Sequence, residues 1–589
     1  MSRCCGPFAI AALSLPSLLA YNVSPSSTFL NQALSASLWG AFVLALGRAR
    51  LRGPASFGSG SGYAMAVTAV LAGAIYLWGE LRGLPDSLAL SLTSSVAAAA
   101  TVAVAGRRAG RGSAAASLFA LTCAGALTAG LLGSLIAFVQ VFLPGWADGT
   151  WIAVSGTPGR AVGNLRQPNH LSTVLLWACV AAVALHELGR LRRGLAAAAL
   201  SLCVLAVVWT ASRTGLLSVA LLAGWGLLDR RLSLPGRVML LASPLVYFAG
   251  WLGMAAWARF GGFAFFGTAR LAETDISGSR FGIWRNTLAL ILEHPWTGVG
   301  LGNFNFAWTL TPFPVRPPAF FDHAHNLPLH LAAELGLPLA ALIVGLLLAG
   351  LWRIARAIPR ADGERGVSVR AALVFLLMVG LHSLLEYPLW YAYFLLPTAF
   401  VFGFALALAQ NPPVDPAGVS SARRMRSRRR LRRSWPLTLA GAAMAVGAVA
   451  AVVDYGRVAA IFDASAPGTL ADRIATGQRS VLFAHHADYA AVTMQRDPPA
   501  PPEAFARTTH FLLDTRLMMA WADSLAWYGR VDQARYLAAR LREFRNPASQ
   551  AFFAECPERA LPAAEAQAQG LSYRCALPER VWTWKDFRS

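Results

Sequence analysis

Thirteen long apolar runs constrain the fold of this chain more than any other feature. A helix needs roughly 20 apolar residues to cross the hydrocarbon core of a bilayer, and each run reaches or approaches that length. The runs lie at residues 7–21, 29–47, 63–79, 88–106, 114–143, 170–188, 194–211, 214–229, 238–257, 329–351, 371–387, 389–409 and 435–453. Hydrophobic residues make up 56% of the chain and charged residues 14%, a composition that excludes a soluble multidomain protein. The sequence therefore predicts an all-α polytopic membrane protein with about 12–13 transmembrane helices.

Arginine clusters between the runs set the orientation of the predicted helices. Counted from a cytoplasmic N-terminus, the even-numbered gaps hold all six basic clusters: Arg48/Arg50/Arg52, Arg107/Arg108/Arg111, Arg190/Arg192/Arg193, Arg230/Arg231/Arg237, Arg353/Arg356/Arg360 and the run from Arg423 to Arg433. Cytoplasmic loops of membrane proteins carry such an excess of Lys and Arg. The opposite, outer side then receives the polar segments 144–169, 210–214, 258–328 and 386–388 and everything after about residue 454.

This orientation also explains the formal net charge of +22. No basic stripe interleaved with aromatic residues occurs, so we expect no nucleic-acid partner. An enzyme with this layout takes a substrate that already lies at the outer leaflet, without access to ATP. Its driving force must come from a donor substrate.

Hydropathy and charge divide the chain into five predicted regions. These are N-terminal transmembrane helices (1–143), a core that includes the outer loop 258–328 (144–410), a basic cytoplasmic linker (411–434), the last transmembrane helix (435–453) and a small outer helical domain (454–589). The outer loop is too long for an idle connection, and its residues 280–292 have the polar and apolar faces of an interfacial helix. Residues 520–534 resemble one tetratricopeptide-like helical hairpin, although a single unit is weak support for a repeat array.

Seven cysteines show no metal-ligand spacing, so we expect no metal site. Cys556 and Cys575 are the two cysteines of the tail. They form a disulfide if the tail lies in an oxidising compartment, and the alternative is two unpaired thiols.

Four arginines on the outer side are candidate phosphate ligands: Arg166, Arg213, Arg280 and Arg285. Guanidinium groups bind phosphate oxygens through bidentate, charge-assisted hydrogen bonds and stay charged at low dielectric. Arg213 is the most informative, because it lies in a short turn between two spans, where an ionisable residue is a functional candidate. The alternative is an arginine whose side chain reaches the outer lipid headgroups.

Three histidines, His323, His325 and His330, stand where the outer loop meets an apolar run. Neutral imidazole is the usual general base for a hydroxyl group at physiological pH. We interpret His325 as the base, Asn326 as a supporting residue and Asp322 as a candidate orienting carboxylate. The other two histidines have a simpler interpretation, as interfacial residues that cap a helix or bind water.

His382 and Glu386 lie four residues apart near the outer end of a run, so they share a helical face. With Tyr387 they are candidates to line a sugar-binding cleft, because aromatic rings offer apolar area with polar tips. The alternative is an interfacial aromatic belt at a capped helix end.

Five motifs in order between about residues 150 and 410 resemble the O-antigen ligase/polymerase superfamily. They are Gln-Pro-Asn-His-Leu at 167–171, Ser-Arg-Thr-Gly at 212–215, His-Pro-Trp-Thr-Gly-Val-Gly at 294–300, Ala-His-Asn at 324–326 and Leu-Glu-Tyr-Pro-Leu-Trp-Tyr at 385–391. The first and last motifs favour the bacterial protein O-oligosaccharyltransferases of the PglL type over lipopolysaccharide ligases. The first motif adds Asn169 and His170 to the supporting candidates.

The resemblance implies a glycosyltransferase of the bacterial inner (cytoplasmic) membrane whose active site faces the periplasm. Such enzymes transfer a preassembled glycan en bloc from undecaprenyl pyrophosphate to a hydroxyl group, with no nucleotide sugar, cofactor or obligatory metal. His325 is similar to the essential histidine of the family, and Arg213 and Arg280 to arginines that hold the donor pyrophosphate. The implied partners are the undecaprenyl-pyrophosphate-linked glycan, a periplasmic or pilin-like acceptor protein with Ser or Thr hydroxyls, and membrane lipid.

Other functions stay open on the sequence. Within the superfamily, the alternatives are ligation of O-antigen to lipid A core and Wzy-like polymerisation, and the sequence does not identify the acceptor surface. A polytopic transporter or flippase predicts charged residues in mid-span, and very few occur here. A non-catalytic assembly factor, with the tail as a binding module, is a further alternative.

Overall fold

A computed structural model describes residues 2–49, 51–52, 84–112, 114–268, 278–410, 431–495, 497–510 and 512–588. The α-helices in these ranges are, in chain order, α1 Ser2–Leu18, α2 Phe29–Arg48, α3 Asp86–Arg111, α4 Ala115–Phe142, α5 Pro168–Glu187, α6 Arg193–Thr210, α7 Arg213–Leu228, α8 Leu234–Gly261, α9 Gly278–Glu293, α10 Phe304–Leu310, α11 Leu327–Leu335, α12 Leu337–Ala357, α13 Gly363–Ser383, α14 Ala392–Gln410, α15 Trp435–Ala459, α16 Leu470–Gly477, α17 Ala484–Met494, α18 Thr515–Trp527, α19 Val531–Glu543 and α20 Ala563–Ala568. One short antiparallel pair joins β1 (Leu51–Arg52) to β2 (Leu431–Arg432), with Leu51 opposite Arg432.

Ten helices in the described part of the chain have the length and apolar composition of membrane spans. They are α2 to α6, α8 and α12 to α15. Helices α1 and α7 are apolar but shorter, and the predicted span at 63–79 lies outside the described residues. The prediction of an all-α polytopic membrane protein is confirmed.

The prediction of one uninterrupted span at 329–351 is wrong. Helix α11 ends at Leu335 and α12 begins at Leu337, because Gly336 takes a left-handed φ of +79°. A Cβ atom at Gly336 would lie 2.3 Å from the carbonyl oxygen of Trp296, so the chain approaches too closely there for any side chain. A glycine inside an apolar run leaves the hydropathy almost unchanged, and the break is therefore invisible in the apolar pattern.

Contacts divide the described residues into two compact units. The first unit comprises Met1–Ala69, Ser95–Ile276 and Gly345–Val452, and the second comprises Val70–Ser94, Ser277–Val344 and Val453–Ser589. The five regions predicted above follow charge and hydropathy instead of contacts, and their boundaries stay predictions.

Helix α5 lies at the centre of the first unit. Every residue from His170 to Leu185 is buried, with α4, α6, α7 and α13 packed around the helix. The indole ring of Trp177 lies 5.9 Å from the ring of Phe375 and 5.6 Å from that of Phe394. A helix that is apolar on all sides belongs inside a bundle. The N-terminus of α5, which carries Asn169, is therefore anchored by the whole bundle.

Helices α3 and α14 approach through glycines in the first unit. A Cβ atom at Gly106 would lie 2.1 Å from the carbonyl oxygen of Phe400, and one at Gly403 would lie 2.0 Å from that of Ala103. Membrane helices commonly use small residues in this way to bring their backbones together. These glycines are packing residues.

The second unit joins the outer loop to the tail in one hydrophobic core. Helices α9, α10 and α11 contribute to it together with the tail helices α18 and α19. The rings of Phe320 and Phe544 stack at 3.9 Å, and Arg316 Nε lies 2.9 Å from Oε2 of Glu543. The part of the loop from residue 278 onward is therefore packed against the tail.

The tail is helical, as predicted. Helices α18 and α19 form a hairpin whose turn contains Gly529 at φ +82°. Of the two alternatives for the tail cysteines, the structure has the disulfide between Cys556 and Cys575, which are 19 positions apart.

Candidate active site

Asn169 connects three of the five motifs within the first unit. It lies in the first turn of α5, where Gln167 is the N-cap and accepts hydrogen bonds from the backbone N–H groups of Asn169 and His170. Nδ2 of Asn169 donates to Oε1 of Glu386 at 2.9 Å, and Oγ of Ser212 donates to Oδ1 of Asn169 at 2.6 Å. Motifs that are far apart in the chain therefore meet at one amide side chain.

Ser212 fixes the start of α7, the helix whose first residue is Arg213. Its Oγ accepts a hydrogen bond from the N–H of Gly215 at 2.9 Å, as an N-cap residue does. The preceding Ala211 has φ +48°, a conformation that non-glycine residues seldom adopt. Arg213 is half-buried at the N-terminus of α7, where the helix dipole also favours an anion.

His170 and His382 are buried side by side in the first unit, at 3% and 0% exposure. Nδ1 of His382 lies 2.8 Å from Oγ1 of Thr173, and Nδ1 of His170 lies 3.2 Å from the hydroxyl of Tyr393. The two imidazole rings lie 5.8 Å apart, edge to face. Both histidines therefore have protein partners and almost no exposed surface.

The two residues of the predicted sugar-binding cleft, Glu386 and Tyr387, have different environments in the structure. Glu386 is buried, and its Oε1 accepts the hydrogen bond from Asn169. Tyr387 is half-buried, and its ring stacks on that of Tyr391 at 6.0 Å. Tyr387 therefore has a partly accessible ring. Glu386 is instead a buried hydrogen-bond acceptor for Asn169.

Arg166 is bonded to backbone within the first unit. Its φ is +55°, and its guanidinium donates to the carbonyl groups of Ala20, Ser27 and Asn164. These bonds tie the segment between α1 and α2 to the segment before α5. They account for the position of Arg166 without a phosphate.

His325 has a strained backbone at the entrance to α11 in the second unit. Its φ of +51° lies in the left-handed region, where non-glycine residues of functional sites are over-represented. The next residue, Asn326, is the N-cap of α11, and its Oδ1 accepts the N–H of Leu329 at 3.1 Å. The ring of Phe321 stands edge-on to the imidazole at 5.5 Å. The chain turns sharply here and leaves His325 half-buried.

Asp322 lies among the histidines of this loop. Its Oδ1 is 3.0 Å from Nδ1 of His323. Burial raises the pKa of Asp322, but the charge and hydrogen bond of His323 and the charge of His325 outweigh that effect and lower the pKa to about 2. Asp322 is therefore a carboxylate at physiological pH, and it interacts electrostatically with His325.

His330 and Glu334 form a buried pair on α11. Nε2 of His330 lies 3.6 Å from Oε2 of Glu334, whose Oε1 accepts the N–H of Phe304 at 3.2 Å. Burial raises the pKa of Glu334 to about 7, against the opposing effect of backbone N–H donors. Burial, together with the charge of His323, lowers the pKa of His330 well below its usual range. With 4% exposure His330 is a buried residue, and its interpretation as an interfacial histidine is wrong.

Arg280 and Arg285 lie on different faces of α9. Nε1 of Trp284 donates to the carbonyl oxygen of Ala324 at 3.1 Å. The face of α9 that carries Trp284 therefore contacts residues 321–326, which include His323 and His325 and are called the histidine loop. Arg280 precedes Trp284 by one turn on the same face and is half-buried, whereas Arg285 is exposed. Of the two arginines, Arg280 is on the side of the candidate base.

The motif at 294–300 is hydrogen-bonded to the C-terminal end of α11. The N–H of Val299 donates to the carbonyl oxygen of Ala333 at 2.8 Å, and that of Gly300 to the carbonyl oxygen of Glu334 at 2.9 Å. Gly298 has φ +62°, and a Cβ atom there would lie 2.4 Å from the backbone of Glu334. The glycines allow the backbone contact that holds the end of α11.

Three residues joined to these candidates received no role from the sequence: Ser212, Trp284 and Glu334. A serine before an apolar run is an N-cap signal, and a carboxyl group within an apolar helix is a functional signal. Trp284 has no such signal, because its partner Ala324 is 40 residues away and the contact is tertiary. Across the ranges that the structure describes, no three His, Cys, Asp or Glu side chains are arranged to hold a metal ion.

Three family models match segments of this chain. The O-antigen ligase model matches residues 198–344, and a model described as the C-terminal part of a membrane-bound polymerase virulence factor matches residues 370–557. A protein glycosylation ligase model matches residues 161–186, which contain Asn169 and His170.

Two curated relatives from Acinetobacter baylyi are similar to this chain. One is named a general O-oligosaccharyltransferase and is 30% identical over 297 residues, which cover 48% of this chain and 49% of the relative. The other is named a ComP-specific O-oligosaccharyltransferase and is 28% identical over 255 residues, covering 42% and 44%. The chain thus spans about half the length of the curated relatives it matches. The resemblance that the motifs predict is confirmed by O-antigen ligase and protein glycosylation ligase segments in this chain, together with the similarity to two O-oligosaccharyltransferases.

Proposed function

We propose that this chain transfers a preassembled glycan en bloc from undecaprenyl pyrophosphate to Ser or Thr hydroxyls of periplasmic or pilin-like proteins. The similarity to relatives named O-oligosaccharyltransferases and the protein glycosylation ligase segment support a protein acceptor. The observation that carries the mechanism is His325, half-buried and strained at φ +51° beside a carboxylate.

His325 acts as the general base. Its imidazole accepts the proton of the acceptor hydroxyl while the hydroxyl oxygen forms a bond to C1 of the first sugar. The bond between C1 and the pyrophosphate oxygen breaks, and the lipid pyrophosphate leaves with the electron pair. The carboxylate of Asp322, which is paired with His323 and interacts electrostatically with His325, helps to orient the imidazole. General bases of this kind contribute about 10²–10⁴-fold to rate.

Arginines bind the donor pyrophosphate in this mechanism. Arg280 is assigned from its half-buried position on the face of α9 that contacts the histidine loop. Arg213 is assigned from its place at the N-terminus of α7, behind the Ser212 cap. Both stabilise the negative charge that develops on the leaving group. Arg166, which donates to backbone carbonyls, and the exposed Arg285 have lesser roles.

The location proposed for this chemistry is the periplasmic face of the bacterial inner membrane. The arginine clusters between apolar runs favour that orientation. The disulfide of the tail supports it, because disulfides persist in oxidising compartments such as the periplasm.

A second candidate function is ligation of O-antigen to lipid A core, or glycan polymerisation. The O-antigen ligase and membrane-bound polymerase matches favour it, since they cover more residues than the protein glycosylation ligase match. The donor and the base are the same in both functions, and only the acceptor differs.

Reconstitution of the purified full chain distinguishes the acceptors. The protein in liposomes receives undecaprenyl-pyrophosphate-linked glycan together with a pilin-like protein and lipid A core in the same reaction. We expect glycan on Ser or Thr of the protein, detected by mass spectrometry of peptides. Glycan found exclusively on lipid A core would replace the proposal by the second candidate, and no transfer to either acceptor would favour a non-catalytic role.

A further inference from the structure

Both peptide groups of Ala324, the residue before His325, are held by side chains. Its carbonyl oxygen accepts the indole N–H of Trp284 at 3.1 Å, and its N–H donates to Nδ1 of His330 at 3.4 Å. Ala324 itself is 0% exposed. A non-glycine residue in the left-handed region costs about 1–3 kcal/mol and persists where its surroundings over-determine it. At His325, those surroundings are the two bonds to Ala324 and the Asn326 cap.

The bond to Ala324 determines the tautomer of His330. Nδ1 accepts a hydrogen bond only when it carries no hydrogen, so the neutral imidazole of His330 is protonated at Nε2. That nitrogen faces Oε2 of Glu334 at 3.6 Å, and Glu334 is in turn held by the N–H of Phe304. The nearby carboxyl group is compatible with this tautomer, which leaves Nδ1 available for Ala324.

Ring packing keeps the imidazole of His330 in place. Its centroid lies 5.1 Å from the ring of Phe304 and 4.9 Å from that of His323. With 4% exposure, His330 has little access to substrate or solvent, so it acts through its protein neighbours.

We propose that Trp284 and the His330–Glu334 pair are positioning residues, which hold Ala324 so that His325 keeps its left-handed backbone and aims its imidazole at the acceptor hydroxyl. This inference rests on the proposed role of His325. Misplacement of a reacting group by about 1 Å costs roughly 10²-fold in rate, which is large enough to measure.

Three replacements of His330 distinguish a role in positioning Ala324 from a role in core packing alone. In His330→Asn, the amide oxygen lies near the former Nδ1 position and still accepts the N–H of Ala324. In His330→Gln the amide reaches the former Nε2 position, and in His330→Leu no acceptor remains. We expect His330→Asn to stay within roughly threefold of the natural kcat, and the other two to lose roughly tenfold to 10²-fold with little change in KM for the donor.

A second variant removes the other bond to Ala324. Trp284→Phe keeps an aromatic ring but lacks the indole N–H, and we expect its kcat to fall in the same direction as that of His330→Leu. All variants are assayed as full chains in liposomes, with kcat expressed per folded molecule after size-exclusion and thermal-unfolding checks. Unchanged kcat per folded molecule in His330→Gln, His330→Leu and Trp284→Phe would overturn the inference, as would a His330→Asn variant no more active than His330→Gln.

His325→Ala, measured in parallel, keeps this inference separate from the proposed function. Transfer by His325→Ala at the natural rate would refute the proposed base, whatever the other variants do. An inactive His325→Ala alongside fully active His330 and Trp284 variants would refute the positioning role alone.

Discussion

The Asn169 network of the first unit and the His325 loop of the second use polar residues in opposite ways. Asn169 is hydrogen-bonded to both Ser212 and Glu386 at the ends of packed helices. In the loop, the side chains of Trp284 and His330 are bonded to the backbone of Ala324, while His325 stays half-buried in a strained conformation. The first arrangement stabilises helix ends, and the second, in the mechanism that we propose, holds one side chain in position for the reaction. Motif membership alone therefore does not distinguish a structural residue from a reactive one.

The largest effect that we expect is a loss of transfer activity when His325, in the second region, is replaced. His325→Ala lowers the transfer rate by about 10²–10⁴-fold, because the reaction loses its base. The unfolding temperature stays unchanged, since Ala keeps the backbone and His325 is half-buried. Rates from single-turnover glycan transfer and melting curves in detergent check both points. His323→Ala, which removes the partner of Asp322 and a ring beside His330, is the comparison variant, and we expect a smaller loss of rate. An equal loss there would mean that the loop acts as a whole.

The pH dependence of stability tests the raised pKa of Glu334, the buried carboxyl group of the second region. The pKa of Glu334 is raised by burial from 4.5 to about 7, so the folded state binds this proton more tightly than the unfolded state. Its contribution to stability is full below about pH 4.5 and is lost as pH rises through about 7. We expect the difference in unfolding free energy between the natural chain and Glu334→Gln to fall by on the order of 3 kcal/mol from pH 4 to 8. Parallel curves for the two proteins would contradict the assignment.

Asn169→Ala tests the network of the first unit. The change removes two buried hydrogen bonds, one to Ser212 and one to Glu386, and we expect the free energy of unfolding to fall by about 1–3 kcal/mol. The control is Thr101→Val on α3, whose hydroxyl bonds to the carbonyl of Ala97 in its own helix, and we expect almost no change there. Loss of transfer with unchanged stability in Asn169→Ala would place Asn169 at the substrate and remove the contrast between the regions.

The smallest expected effect concerns the two arginines of α9. Arg280→Ala weakens binding of the lipid-linked donor about tenfold, or about 1.4 kcal/mol, because one charged contact to phosphate is lost. Arg285→Ala, on the exposed face, changes the affinity less than about twofold. Competition by inorganic pyrophosphate against a labelled donor measures both variants. Equal losses of donor affinity in the two variants would contradict the assignment of Arg280, and not Arg285, to the donor.

Sequence patterns predict the fold well where the signal is local. Apolar runs identified the membrane helices because helix length and hydropathy depend on neighbouring residues alone. The run at 329–351 is the exception, where Gly336 breaks the helix without altering its hydropathy. The motifs identified His325 and Asn169, but not the contact of Trp284 with Ala324 or that of Ser212 with Asn169.

By itself, the sequence determined an all-α membrane protein with a long polar loop, a helical tail and a set of motifs that resemble those of the O-antigen ligase superfamily. Only the tertiary structure decided that Asn169 bonds to Glu386, 217 residues later, and that Ala324 is held by Trp284 and His330. The physical reason is that a helix stabilises itself through contacts four residues apart, whereas these bonds depend on how separate helices pack. Tertiary packing also gave His325 its left-handed backbone, because no local preference favours that conformation for a histidine.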